Sequence, residues 1–163
     1  MDLPKRKKNR LENYDYSQNG AYFITICVKD RKKILCDIVG ADIIRPCKTE
    51  LSDYGEIVKE AINNISVCYK NVSVPKYVIM PDHIHFVLQI TDNGGRIISA
   101  PTVVAGLKRY VSKKCGCSIW QKGFYDHIIR GQNDYNEICE YIENNPAKWA
   151  TKEIDGLYGS IST

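Results

Sequence analysis

At 163 residues the chain is long enough for one domain with its own core and too short for two, so a single unit over residues 1–163 is expected, with a basic arm at about 1–12. A hydrophobic content of 44% beside 26% charged residues argues against bulk disorder and against a membrane span. The net charge of +4 is modest, but it is clustered: Lys5, Arg6, Lys7, Lys8 and Arg10 form the arm, and Lys108, Arg109, Lys113 and Lys114 gather further on. Both clusters suit a phosphate backbone, and each taken alone is equally well explained as a solvated tail or a solvated helix face.

Tyr14 to Gly20 is rich in turn formers and leads into residues 21–28, where β-branched and aromatic side chains predict a first, central strand. Residues 29–33 read as a charged turn, and 34–38 with 42–45 as short strand pieces interrupted at Gly40. From Ser52, an N-cap, Ile57, Val58, Ala61, Ile62 and Ile65 recur at helical spacing and predict an amphipathic helix of about four turns. Two strands follow, over 76–80 and 83–90, around the turn-forming pair Pro81-Asp82, and Asp92 to Gly95 reads as a loop. A second helix starts near Ser99-Ala100-Pro101 and stops at Gly116, with the second basic cluster on its exposed side. Trp120 and residues 124–130 give another strand. Asp134 and Glu137 then suggest a capping box for a third helix, expected to end at Asn145-Pro146. This alternation of strands and helices is an α+β layout, best met by a ferredoxin-like sandwich in which helices cover an antiparallel sheet.

Met80-Pro81-Asp82-His83-Ile84-His85-Phe86-Val87-Leu88 carries the most chemistry. On a strand, His83 and His85 project to one side while Ile84, Phe86, Leu88 and Ile90 form the apolar other side. Two neutral imidazoles fixed by a sheet are preorganised metal donors, although the pair alone is also compatible with ordinary half-buried histidines. The third helix offers partners. Its apolar stripe is Tyr135, Ile138 and Ile142, and Tyr141 and Asn145 are neighbours one turn apart along the stripe's edge. A tyrosine beside a metal can displace one oxygen of a phosphodiester and retain the phosphoryl group covalently, which a hydrolase does not need. The competing tyrosines are Tyr125 and Tyr135, but one turn beyond Tyr135 stands Cys139, a poor ligand for magnesium. With eleven tyrosines in the chain, Tyr141 taken by itself reads rather as an interfacial aromatic with its hydroxyl in solvent. The seven cysteines form no regular framework and read as reduced thiols, and no apolar stretch follows the charged N-terminus, so a cytoplasmic protein is expected.

Four blocks together resemble the single-tyrosine HUH transposases, and most closely the REP-associated tyrosine transposases of bacteria. They are Tyr14 to Cys27, Met80 to His85, Trp120 to Arg130, and Tyr141-Ile142-Glu143-Asn144-Asn145-Pro146, in that order over about residues 10 to 150. The resemblance implies that His83 and His85 are the HUH histidines on a central strand, with Tyr141 as nucleophile and Asn145 as third metal ligand. It implies cleavage of single-stranded DNA beside a hairpin, through a 5′-phosphotyrosine and a free 3′-hydroxyl, with magnesium or manganese as the ion. His127 lies in a family block and is a supporting candidate; a hydrogen-bonded strand histidine explains it as well. The chain departs from many relatives in having Asp82 where they have Asn. A nucleoid-associated monomer or homodimer is the implied form. The alternatives from other classes are a non-catalytic hairpin-binding protein derived from a transposase, and a phosphodiesterase with water as nucleophile.

Overall fold

The computed structural model describes residues 11–40, 47–92, 94 and 98–159, with side chains as far as residue 153. The basic arm (Lys5, Arg6, Lys7, Lys8, Arg10) and the strand piece expected at 42–45 lie outside the described residues. Among the described residues six strands and four helices follow one another as β1 (Gly20–Cys27), β2 (Cys36–Val39), β3 (Lys48–Leu51), α1 (Asp53–Asn63), α2 (Ile65–Cys68), β4 (Val72–Ile79), β5 (His83–Ile90), α3 (Ala100–Cys115), β6 (Tyr125–Ile129) and α4 (Gly131–Gly159). A single 3-10 turn, Lys29–Arg31, follows β1.

The main sheet has the order β4-β5-β1-β6 with every neighbour antiparallel. β1 and β5 are therefore central, as expected of the strand that carries the two histidines. Since β1 and β4 run parallel with β5 between them, α1 must cross over the sheet, and α3 crosses likewise from β5 to β6. This is the ferredoxin-like α+β arrangement, with the β2–β3 hairpin inserted ahead of α1.

Strand alternation divides the sheet into two faces. Tyr22, Ile24 and Ile26 of β1 and Ile84, Phe86, Leu88 and Ile90 of β5 are fully or almost fully buried in the larger core, against Val58, Ala61 and Ile62 of α1 and Val103, Val104, Leu107 and Val111 of α3. The opposite face carries Phe23, Val87, His83 and His85, and α4 lays Ile142 on Phe23 and Val87, with Tyr135 and Ile138 packed beside them. The apolar stripe read at Tyr135, Ile138 and Ile142 is thus the face by which α4 docks.

Local chemistry explains most boundaries. Ser52 caps α1 by accepting from the Gly55 amide, and Ser99 caps α3 by accepting from Thr102. Gly116, at φ 72°, ends α3 in the left-handed region. The four-turn helix expected after Ser52 is realised as α1 and a one-turn α2 meeting at Asn64. β4 starts earlier than expected, because Pro75 sits in an edge strand, at an irregularity between Ser73 and Lys76 where its missing N–H interrupts no ladder. β3 has no clear signal in the sequence: its Lys48–Leu51 segment alternates exposed and half-buried residues, and it pairs with β2. Two expectations for α4 are corrected. It begins at Gly131, with the Asp134 carboxylate accepting from the Arg130 amide from inside the first turn, and it runs through Pro146 to Gly159. Among the described residues no helix is long and apolar enough to cross a membrane.

Candidate active site

His83 and His85 stand on the α4 side of β5 and are 7% and 5% exposed. Their rings meet edge to face with centroids 4.5 Å apart, and their Nε2 atoms are 3.0 Å apart. Each ring has its other nitrogen occupied. His83 Nδ1 lies 2.6 Å from Asp82 Oδ1, and His85 Nδ1 lies 2.8 Å from the hydroxyl of Thr25, its cross-strand neighbour on β1. A carboxylate only accepts, so His83 donates through Nδ1 and presents a lone pair at Nε2. Burial holds the His83 pKa below the usual imidazole range despite the raising effect of Asp82; burial, then the neighbouring His83 and Arg31, push His85 down to about 3. Both rings are accordingly neutral near pH 7.

Because α4 is fastened over this face by Ile142, the residues flanking Ile142 are carried to the histidines. The Tyr141 ring stands 5.4 Å from the His85 ring and 5.9 Å from Phe23, edge-on to Phe23, and the side chain remains 42% exposed. Asn145 is buried, and its amide nitrogen makes a long bond of 3.4 Å to the Tyr141 carbonyl, leaving the amide oxygen free to accept. Thr25, His83, His85, Tyr141 and Asn145 line one cavity of about 340 Å³. The sequence-predicted pair on the strand and pair on the helix are thus brought together.

The cavity also holds residues that the sequence reading missed. Since α4 continues past Pro146, Lys148, Trp149 and Lys152 extend the face begun by Tyr141 and Asn145 and line the same cavity. Trp149 lies 5.9 Å from the His83 ring, and Lys148 Nζ lies 5.4 Å from the centre of the Tyr141 ring. Their spacing along one helical face is the available signal in the sequence, and a helix ending at Pro146 conceals it. Arg31 enters from the 3-10 turn, and its Nε is 3.0 Å from Asp82 Oδ2. Asp82 therefore bridges the Arg31 guanidinium and the His83 ring. Arg31 reaches this position because Asp30 and Arg31 both adopt positive φ (56° and 54°), a conformation unfavourable for residues other than glycine.

The remaining candidates are placed elsewhere. His127 on β6 is cross-strand to Phe23, does not line the cavity, and is bonded 3.0 Å from Asp134 Oδ2. Tyr125, the competing tyrosine on β6, is exposed, and Tyr135 is packed in the α4 stripe. Lys108 is half-buried, with its ammonium donating to the carbonyls of Gln121 and Gly123. Arg109 and Lys113 are exposed, and Lys114 lies 3.7 Å from Glu60.

Whether the cavity suits a divalent ion is decided by its donors. Among the described residues no three His, Cys, Asp or Glu side chains are placed to hold a metal ion together, so a metal here has two imidazoles and must take an amide or solvent oxygen as well. Two neutral Nε2 atoms facing each other at 3.0 Å need a shared proton or a cation between them, and Asn145 supplies an oxygen on the same cavity wall. The donor set fits.

A family model described as "Transposase IS200 like" matches residues 16–145, and the chain belongs to this family of transposases. It is 30% identical to an uncharacterized protein of Haemophilus influenzae, over 94% of this chain and 93% of that one. It is 23% identical to the REP-associated tyrosine transposase of Escherichia coli, over 90% of this chain and 79% of that protein. The solved structure of a REP-associated tyrosine transposase bound to a REP hairpin superposes with a TM-score of 0.64 at 21% identity, covering 85% of this chain and 73% of the other, and shares its fold.

Proposed function

We propose that this transposase-family protein cuts and rejoins single-stranded DNA beside hairpins, through a covalent link between Tyr141 and a 5′-phosphate. The observation that carries the reading is the convergence of His83 Nε2 and His85 Nε2 with Tyr141 and Asn145 in one cavity that is also lined by the cations Arg31, Lys148 and Lys152. His83, His85 and Asn145 would hold magnesium or manganese, which when bound supplies Lewis-acid polarisation of the scissile phosphate.

The protein's own part is binding, alignment and charge. Arg31, Lys148 and Lys152 attract and orient the phosphodiester. Fixed on α4, the Tyr141 phenol is held for in-line attack on phosphorus. The bond from Tyr141 Oη to phosphorus forms as the bond from phosphorus to the 3′-oxygen breaks. The proton lost by the phenol balances the one gained by the departing 3′-hydroxyl. Reversal of these steps with another 3′-hydroxyl rejoins the strand.

The hairpin preference rests on the structural relative, whose solved form holds a REP hairpin. A protein that acts in this way on bacterial DNA would work in the cytoplasm. The test is incubation with a panel of labelled single-stranded hairpins and manganese, resolved on a denaturing gel. A labelled band at the size of the protein supports the reading; binding without such a band favours a hairpin-binding protein, and cleavage without it favours water as nucleophile.

A further inference from the structure

A second and larger cavity, of about 710 Å³, opens on the other side of the Lys29–Arg31 turn. Three exposed cations from three separate parts of the chain line it: Lys29 from the turn, Arg109 from α3 and Lys122 from the loop before β6. Ser112 and Ser118 add hydroxyls, and Asp30, on the turn itself, is the carboxylate on its wall. The wall is well anchored. The Lys29 amide donates to the Ile119 carbonyl at 2.8 Å, the Gln121 amide donates to the Cys27 carbonyl at 2.8 Å, and Val28 bridges to Trp120. The Lys108 ammonium clasps the Gln121 and Gly123 carbonyls from beneath, which fixes the loop that presents Lys122.

The turn is a shared wall. Lys29 and Asp30 line the larger cleft and Arg31 lines the histidine cavity, so the positive φ at Asp30 and Arg31 throws consecutive side chains into different cavities. From Lys29 to Arg31 the backbone spans at most about 7 Å. Cations and hydroxyls distributed along an open groove match a chain of phosphates better than one small anion, because backbone contacts of this kind position a strand without reading its sequence.

We propose that the two cavities form one track for single-stranded DNA, the scissile phosphate beside His83 and His85 and the flanking phosphates in the cleft of Lys29, Arg109 and Lys122, with the Lys29–Arg31 turn as the step between them. The proposal rests on the DNA-cutting reading above and adds to it where the strand runs.

The test measures binding of oligonucleotides whose single-stranded flank is lengthened one nucleotide at a time, by fluorescence anisotropy over a range of salt. The unaltered protein should bind more tightly as the flank grows. The triple variant Lys29→Ala, Arg109→Ala, Lys122→Ala should lose that gain, and its plot of log affinity against log salt should be shallower by about 2, at roughly 0.7 per phosphate contact for single strands. A triple variant with the same loss of charge outside both cavities, Lys48→Ala, Lys59→Ala, Lys70→Ala, should keep the gain with flank length. Equal behaviour of the two triple variants, or an unchanged salt slope in the first, overturns the track while leaving the cutting reaction standing. Failure of the unaltered protein to bind any of the strands overturns the functional reading and the track with it.

Discussion

Asp82 Oδ1 lies 2.6 Å from His83 Nδ1 while Asp82 Oδ2 lies 3.0 Å from Arg31 Nε, so one buried carboxylate fixes the tautomer of a candidate metal ligand and the place of a candidate phosphate ligand. Asp82→Ala leaves the His83 N–H without its acceptor and Arg31 without its partner. It should lower stability by about 1–3 kcal/mol and weaken manganese binding about 10- to 100-fold. Asp82→Asn keeps an accepting oxygen and should lie nearer the unaltered protein in both. Chemical denaturation and calorimetric titration with manganese read the two effects, and equal affinity in all three proteins would remove Asp82 from the site.

Ile142 is 1% exposed between Phe23 and Val87, and it fastens the helix that carries both Tyr141 and Asn145. Ile142→Ala should cost about 2–5 kcal/mol, and Ile142→Val about 0.5–1.5 kcal/mol. The consequence for function is that Ile142→Ala should lose adduct formation at temperatures where the rest of the sheet is still folded. Urea unfolding followed alongside covalent capture checks both.

Pro146 stands inside α4, where it removes an N–H from the helix ladder facing the Ile142 carbonyl. Because the helix is already continuous through this point, Pro146→Ala restores that bond and should raise stability by about 1–3 kcal/mol. A fall in the thermal midpoint of the variant would show that the proline fits its surroundings better than this argument allows.

This proline also marks the limit of what the sequence discloses. The strand with His83 and His85 on one face, the α4 stripe, and the one-turn spacing of Tyr141 and Asn145 were legible, because periods of 2 and 3.6 residues survive in any sequence that builds a half-buried strand or helix. A local rule that residues before proline leave the helical region hid Lys148, Trp149 and Lys152, since tertiary packing against His83 carried the helix onward. Arg31 was hidden for another reason. Its reach into the site depends on a left-handed turn at Asp30 and Arg31, for which the glycine that would signal it is absent. Lys108 looked like one of four equivalent surface cations, and only the fold shows its ammonium bound to two carbonyls.

Cys36 reports on the strap that covers the Pro81-Asp82 turn. It is buried, its thiol donates to the Ile79 carbonyl at 3.3 Å, and the preceding Leu35 amide donates to the Pro81 carbonyl. Burial, with Asp37 and Asp82 nearby, pushes its pKa up to about 12, so at pH 8 only about one thiol in ten thousand is ionised. Iodoacetamide at pH 8 should modify the exposed Cys68 and Cys117 while Cys36 stays unmodified, its labelling rising only as pH approaches 12. Prompt modification of Cys36 at pH 8, read by peptide mass spectrometry, would show that β2 opens readily beside the site.

The central claim is that Tyr141, and no other tyrosine, takes the phosphoryl group. Tyr125 is exposed on β6 and Tyr135 is packed in the α4 stripe, while Tyr141 alone of the three lines the cavity with His83, His85 and Asn145. The most direct measurement is mass spectrometry of the adduct trapped with a single-stranded hairpin and manganese, on the unaltered protein and on Tyr141→Phe. The nucleotide should sit on the peptide containing Tyr141, and Tyr141→Phe should bind the hairpin yet trap none, because it lacks one oxygen and almost no volume. A nucleotide on Tyr125 or Tyr135, or an adduct still formed by Tyr141→Phe, would contradict the account.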